Sequence, residues 1–211
     1  MSIYGRLFAS VYDRALAATE EAGLAERRRG LLAGARRRVL ELGAGTGLNL
    51  THYPEDLEQL VLTEPEEPML ARLRARAAAL RPDATVVAAS AERLPFPGES
   101  FDTVVATLTF CTVGDIAAAL DEVRRVVAPR GRLLFLEHVR SEDGRVALRQ
   151  DLLRPVWQHV GHGCHPNRPT VAAIEAAAFE VRELEHGKVP KAPRFLAPLV
   201  VGVAVKGPSP S

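Results

Sequence analysis

The stretch Arg37-Arg38-Val39-Leu40-Glu41-Leu42-Gly43-Ala44-Gly45-Thr46-Gly47 decides how the rest of the chain is read. Two basic residues give way to a short apolar run, then to three glycines at alternate positions, then to Leu48-Asn49-Leu50. A run this short, closed by glycine, predicts a buried strand feeding a tight turn into a helix. Glycines let the turn bend sharply and bring backbone N–H groups against a ligand, where a Cβ would collide. The spacing is G-x-G-x-G. Leu48 breaks the G-x-G-x-x-G pattern of a dinucleotide-binding turn, which argues against a nicotinamide-dependent oxidoreductase. Glu41 sets a carboxylate at the strand end, a poor neighbour for a pyrophosphate and a good one for a cationic ligand. The glycines by themselves also fit a turn that holds nothing.

Outward from this stretch the pattern repeats. Gln59 to Glu64 is apolar and ends in an acid, and Pro68 to Leu80 places Met69, Leu70, Leu73, Ala77 and Leu80 on one helical face. Ala84 to Ala89 reads as a strand closed by Ser90-Ala91-Glu92, Phe101 to Thr107 as another, and Asp115 to Val127 as a helix. Ala128-Pro129-Arg130-Gly131 fits a type I turn ahead of a fifth strand, Arg132 to Glu137. This alternation predicts parallel βαβ units, an α/β sheet with helices on both faces. Residues 146–160 look helical around Pro155, 161–169 form a loop, and Thr170 to Ala178 is helical. Phe179 to Glu185 and Leu199 to Val205 close the pattern as strands, joined by a proline-rich loop, Lys188 to Pro198. Upstream, Tyr4, Phe8, Val11, Tyr12 and Ala15 share one helical face. Arg27-Arg28-Arg29 and Arg36-Arg37-Arg38 read as a solvated face, with an anionic-lipid patch as the alternative.

Composition narrows the function. The chain has 211 residues, 47% of them hydrophobic, which suits one core and one domain. A net charge of +1 indicates no nucleic-acid partner. Two cysteines, Cys111 and Cys164, are too few for a disulfide framework and suggest a reducing, cytoplasmic setting. No signal peptide is expected, and Leu196 to Val205 is too short to span a bilayer.

Ligands of open α/β sheets bind beyond the carboxyl ends of the strands. Here those ends are Glu41 to Gly47, Thr63-Glu64-Pro65, Ser90-Ala91-Glu92, Thr107 to Cys111 and Glu137-His138. The run Glu41-Leu42-Gly43-Ala44-Gly45-Thr46-Gly47 resembles the first motif of the class I S-adenosylmethionine-dependent methyltransferases. Ala91-Glu92-Arg93-Leu94-Pro95-Phe96 with Ser100-Phe101-Asp102 is similar to a stretch of their ubiquinone-biosynthesis-like group, although Ser90 stands where that group usually has Asp. The resemblance implies a three-layer, Rossmann-like sheet of seven strands with the last antiparallel, and S-adenosylmethionine as cofactor. It implies cofactor contacts from Glu41, Gly43, Ala44, Gly45, Gly47, Glu64, Pro65, Met69, Ala91, Glu92, Thr107 and Leu108. Glu64 would take the ribose hydroxyls.

A narrower likeness covers the second half. Thr107-Leu108 with Cys111, Glu137-His138-Val139, Pro155-Val156-Trp157, Gly163-Cys164 and Arg168 look like the thiol S-methyltransferase-like branch. Human members carry an N-terminal hydrophobic anchor absent from this sequence, so membrane attachment does not carry over and only peripheral lipid contact stays open. The implied reaction is in-line methyl transfer to a small-molecule acceptor, a thiol first. Its acceptor site would draw on Tyr12, Cys111, His138, Trp157, Cys164 and Arg168. His138 is the expected base or orienting group, with His159 second. Carbon, oxygen or nitrogen methylation of a quinone, phenol or lipid headgroup would use the same cofactor residues, and a non-catalytic cofactor-binding subunit is the further alternative. His159, His162, Cys164 and His165 have zinc-ligating chemistry, but their spacing only partly imitates a metal site and no metal is expected. The layout expected is a helical cap (1–35), a cofactor-binding core (36–140), acceptor-side helices with the final strand pair (141–206) and a tail (207–211), with oligomeric state open.

Overall fold

Seven strands form one sheet in the computed structural model, which describes residues 13, 14 and 16–207. They are β1 (Arg38–Leu42), β2 (Gln59–Thr63), β3 (Thr85–Val87), β4 (Phe101–Thr107), β5 (Val127–His138), β6 (Phe179–Lys188) and β7 (Pro198–Lys206). Their order is β3-β2-β1-β4-β5-β7-β6. The first five pair in parallel, and β7 runs antiparallel to both β5 and β6. This is the expected topology. The order reverses between β1 and β4, so the crevice beyond those two strand ends is where a ligand would enter.

The central strands β1, β2, β4 and β5 are buried on both faces, and alternation divides their side chains between two cores. Leu133 and Phe135 point to one core with Leu40, Val104 and Val200; Leu134 and Leu136 point to the other with Val39, Leu62 and Val105. Helices α1 (Ala25–Leu32) and α2 (Glu67–Leu80) cover the second core through Leu31, Leu32, Leu70 and Leu73. Helices α3 (Ile116–Val126) and α5 (Thr170–Ala176) cover the first through Leu120, Val123 and Ile174. Helix α4 (Gly144–Val160) lies between β5 and α5 in the chain, with Pro155 inside it. Asp115 and Asp143 cap α3 and α4, each accepting two backbone N–H bonds with its side chain. Among the described residues no helix is long and apolar enough to cross a membrane.

Two readings are corrected. Arg130 has φ 60°, which excludes a type I turn at Ala128–Gly131, because that turn holds its third residue near −90°. The tetrapeptide is instead a bulge inside β5, between the pairs Phe101–Val127 and Thr103–Arg132. The arginine clusters do not form a uniform solvated face. Arg27 reaches Glu185, Arg29 reaches Glu26, Arg38 reaches Asp102, and Arg28 turns into the protein at 3% exposure. Tyr4, Phe8, Val11, Tyr12 and Ala15 lie outside the described residues, so the proposed helical face and the Tyr12 contact are not placed.

Candidate cofactor and acceptor site

The turn after β1 is held in shape by its own chain. Ala44 N–H donates to the Thr63 carbonyl at 2.8 Å and Gly47 N–H to the Ala44 carbonyl at 2.9 Å. All three glycines have positive φ, but for different reasons. A Cβ at Gly43 would meet Thr109 at 2.9 Å, and one at Gly47 would meet Leu50 at 2.7 Å and Leu73 at 3.0 Å. These two make room for the protein itself. At Gly45, with φ +59°, a Cβ would meet nothing within 4 Å, so this glycine borders open space. Its N–H donates to Glu64 Oε2 at 2.9 Å, while Glu64 Oε1 accepts from Glu66 N–H at 2.9 Å. Burial raises the Glu64 carboxyl above the usual range, against the pull of those two bonds. Glu64 thus ties the end of β2 to the glycine turn, with a second lone pair on each oxygen for a ligand.

The turn opens on a shallow hollow lined by Arg28, Glu41, Gly43 to Thr46, Leu48, Asn49 and Thr107. Glu41 accepts from Asn49 Nδ2 and from Tyr53 Oη, both at 2.8 Å. Asn49 Nδ2 also reaches Thr107 Oγ1 at 2.9 Å. Arg28 donates to Asn49 Oδ1 and Thr107 Oγ1 at 3.0 Å, and to Glu20 Oε1 at 3.1 Å. Burial pushes the Glu41 carboxyl up to about 6, with Tyr53, Asn49 and Arg28 opposing. The hollow therefore presents one cation and one anion side by side on a hydrogen-bonded frame. From the N-terminal side, Asp13 bonds Thr46 of the turn and Arg76 of α2.

The other strand ends contribute less uniformly. Met69 is buried in the first turn of α2 and Pro65 is exposed beside Glu64. Ala91 is buried, but the Glu92 carboxylate turns to the start of α3, where it accepts from Asp115 N–H at 2.7 Å. At the end of β4, Leu108 takes φ 58°, a left-handed conformation that costs a branched residue energy and tends to mark functional turns.

Glu137, at the end of β5, fixes the segment after Leu108. Its Oε1 accepts from Thr109 and Phe110 N–H at 2.8 and 2.9 Å, and its Oε2 from Cys111 N–H at 3.1 Å. Burial raises its carboxyl to about 7 despite those bonds. The Cys111 and Cys164 thiols share a hydrogen bond, which together with burial holds Cys111 well up and, against burial, draws Cys164 down. Arg168 braces the same segment through the Phe110 and Val113 carbonyls.

Two buried side-chain nitrogens have no hydrogen-bond partner of the ordinary kind among the described residues, His138 Nδ1 and Trp157 Nε1. Trp157 stacks edge-on against Phe195 at 5.8 Å, and its indole also acts on the Cys164 sulfur. His138 lies against the backbone of Leu196 and Pro198, and burial lowers its imidazole to about 4. The structure thus brings Cys111, Cys164 and Trp157 together, with Arg168 bracing the same segment, while Trp157 meets Phe195 and His138 meets the backbone of Leu196 and Pro198. His159 is not part of this group; it is exposed on α4 and bonds the Pro155 carbonyl at 2.8 Å. Among the described residues, no three His, Cys, Asp or Glu side chains converge as metal ligands.

Arg28, Asn49, Tyr53, Asp13 and Glu137 were not among the expected site residues. Asn49 and Tyr53 follow the glycine turn closely enough to have been suspected. Arg28 stands among identical neighbours, and nothing in the sequence marks it.

A parallel sheet with an antiparallel seventh strand, a glycine turn bordering open space and an acidic second strand end define a class I methyltransferase. A methyltransferase-domain family model matches residues 40–135. Thiol S-methyltransferase TMT1B of Rattus norvegicus is 37% identical over 172 residues, covering 80% of this chain and 70% of that protein. Thiol S-methyltransferase TMT1A of Homo sapiens is 33% identical over the same shares. A solved S-adenosylmethionine-dependent methyltransferase of Thermotoga maritima shares the fold with a TM-score of 0.71 at 22% identity, over 95% of this chain and 97% of that one. The chain belongs to the S-adenosylmethionine-dependent methyltransferase family that contains these thiol S-methyltransferases. Its cofactor is S-adenosylmethionine.

Proposed function

We propose that the acceptor is a small thiol, methylated on sulfur, with Cys111, Cys164, Trp157 and His138 as its neighbours. The observation that carries this reading is the buried His138 Nδ1, which has no hydrogen-bond partner among the described residues, together with the Cys111–Cys164 thiol pair that the Trp157 indole faces. Buried polar groups without partners call for an explanation, and a bound polar acceptor provides one. The thiol specificity named for the relatives supports it.

The cofactor residues take separate roles in this reading. Gly45 lets the cofactor approach the backbone, Glu64 faces the ribose, Arg28 pairs with the carboxylate of the amino-acid portion, and Glu41 faces its ammonium. Met69, Pro65 and Ala91 line the nucleoside side, and Thr107 and Leu108 the side toward the acceptor. The cofactor supplies a methyl group on a positively charged sulfur, open to in-line attack. The protein's task is then to hold the acceptor in line and dry.

With a depressed pKa, His138 is neutral at pH 7 and can accept a hydrogen bond from the acceptor S–H. It is a weak base, so we assign it an orienting role, with ionisation helped by the thiol's own acidity near ~8.5. The N-terminal segment is assigned as a cap, latched to the glycine turn through Asp13 and Thr46. Two unpaired cysteines favour a reducing cytoplasm.

The test is a panel of thiols, phenols, amines and quinols, scored by S-adenosylhomocysteine release. Release is expected with thiols. His138→Ala should be slower by roughly tenfold or more at pH 7, the deficit shrinking above the thiol pKa. Turnover of quinols or amines with none of thiols would overturn the acceptor assignment.

A further inference from the structure

The chain holds two cysteines, far apart in sequence, and the fold sets Cys111 and Cys164 within hydrogen-bonding reach of each other. Both are reduced in the structure. The backbones are drawn together at the same place. His165 N–H donates to the Cys111 carbonyl at 2.7 Å, and Arg168 Nη1 donates to the Val113 carbonyl at 2.7 Å and to that of Phe110. A Cβ on Gly163 would meet the Thr112 carbonyl at 3.3 Å, so the loop 161–168 is settled closely on the turn 109–113. Main chains one hydrogen bond apart stand at the order of separation that a disulfide spans, ~4.4–6.8 Å between Cα atoms.

The two thiols are not equivalent. Cys164 is 6% exposed, and its bond with Cys111, the Trp157 indole and the Arg168 charge favour its thiolate against burial. Cys111 is 1% exposed, and the bond with Cys164, burial and the neighbouring Glu137 all keep it protonated. A sulfur with thiolate character beside a second thiol is the arrangement in which the first is oxidised and the second resolves it. We propose that Cys111 and Cys164 form a redox switch, in which peroxide joins them in a disulfide that ties the 109–113 turn to the 161–168 loop and stops methyl transfer.

The Cys164 thiolate attacks one oxygen of hydrogen peroxide. An S–O bond forms as the O–O bond breaks, and the departing hydroxide collects the proton that Cys164 gave up, leaving as water. The Cys111 sulfur then attacks the sulfur of that sulfenic acid. An S–S bond forms, the S–O bond breaks, and hydroxide leaves with the Cys111 proton as a second water. Two thiols lose two electrons and the peroxide gains them. The bond falls on the acceptor side, because Cys111 continues the segment that Glu137 holds and Cys164 faces Trp157. The glycine turn and Glu64 lie on neither tied segment, so cofactor binding should persist. Bond formation does not depend on the identity of the acceptor; the effect on turnover rests on the thiol reading above.

The test treats the full chain with excess hydrogen peroxide, removes it, and compares the protein before and after tris(2-carboxyethyl)phosphine, a reductant without a thiol. Unfolded without reductant, the oxidised chain should show neither thiol, run as a monomer lighter by two hydrogen atoms, and yield one peptide pair linked through Cys111 and Cys164. Calorimetry with S-adenosylhomocysteine should give the same affinity before and after reduction. With 2-mercaptoethanol as acceptor, S-adenosylhomocysteine release by the oxidised protein should begin roughly tenfold or more slowly, then accelerate as the acceptor reduces the bond. The phosphine should abolish that lag. Under the same treatment Cys164→Ser should keep Cys111 as a free thiol, and Cys111→Ser should carry a sulfenic acid on Cys164 that dimedone traps. Two thiols surviving in the wild-type chain, or linkage only between copies, would overturn the switch, and so would a complete disulfide with no slower start. Absence of release from reduced and oxidised protein alike would instead overturn the thiol acceptor; bond formation is then still read by mass, and the rates are compared with the quinol or amine that turns over.

Discussion

Replacing Arg28 with methionine separates the two things this buried arginine is asked to do. Arg28 is 3% exposed and donates three hydrogen bonds, to Glu20, Asn49 and Thr107. Methionine keeps an unbranched apolar chain but removes the charge and every donor. Without ligand, Glu20, Asn49 and Thr107 each lose a bond, and Glu41 loses a nearby positive charge. At about 1–1.5 kcal/mol per bond, with Asn49 and Thr107 left buried, the fold should lose about 3–5 kcal/mol. Urea unfolding measures that directly. With ligand, the loss of a charge-assisted pair to the cofactor carboxylate adds about 1.5–3 kcal/mol, or roughly 10- to 150-fold in Kd. Calorimetry with S-adenosylhomocysteine reads this second effect. 5′-Methylthioadenosine supplies the control, because it keeps the nucleoside and lacks the carboxylate and ammonium. Its affinity should be nearly unchanged in the variant, and Arg28→Lys should recover part of the S-adenosylhomocysteine affinity. If both ligands weaken by the same factor, Arg28 acts only by shaping the turn and the carboxylate contact is wrong.

Two further outcomes are expected. Glu64→Ala removes the acceptor for Gly45 N–H as well as the ribose partner, so S-adenosylhomocysteine should bind roughly 10- to 150-fold more weakly, and wild-type affinity by calorimetry would take Glu64 out of the site. Glu137 should make stability fall as pH rises, because the unfolded carboxyl loses its proton near 4.5 and the buried one near 7. Between pH 5 and 8 this amounts to about 2–3 kcal/mol, and it should be missing from Glu137→Gln. The two proteins are compared by urea unfolding at both pH values, and parallel profiles would sink the assignment.

The parts of this molecule that depend on local pattern were readable from its residues. Val39, Leu40 and Leu42 mark a strand buried on both sides, and the alternate glycines mark the turn beyond it. Glu64 could be found because a strand end is a fixed place in a parallel sheet. What escaped depends on register between distant segments. Arg28 turns inward, and its neighbours outward, through the setting of a helix that follows a kink at Gly23, where φ is 126°. Three adjacent arginines give no hint of which one that setting selects. Glu137 was seen as part of a motif, but its three acceptor contacts exist only because the turn after β4 folds over the end of β5. The bulge at Ala128–Gly131 escaped for a related reason. Pro and Gly at those positions suit several turns, and Arg130 takes the left-handed conformation because β4 continues to pair on either side.

The position of β7 has a consequence for how the chain is made. β7 is the last strand in chain order, yet it lies between β5 and β6 and pairs with both. During synthesis β1 to β5 can assemble as their residues emerge, but β5 then presents a long unpaired edge, and β6 has no neighbour to join. Both wait until residues 198–206 have left the ribosome. For that interval the nascent chain carries the open edge of β5 with its Leu133, Leu134 and Leu136, the kind of surface that recruits other chains. Chain termination anywhere between β6 and β7 would make that state permanent. Ribosome pausing before residues 198–206 are made would therefore be felt as aggregation rather than as a shortened, working enzyme.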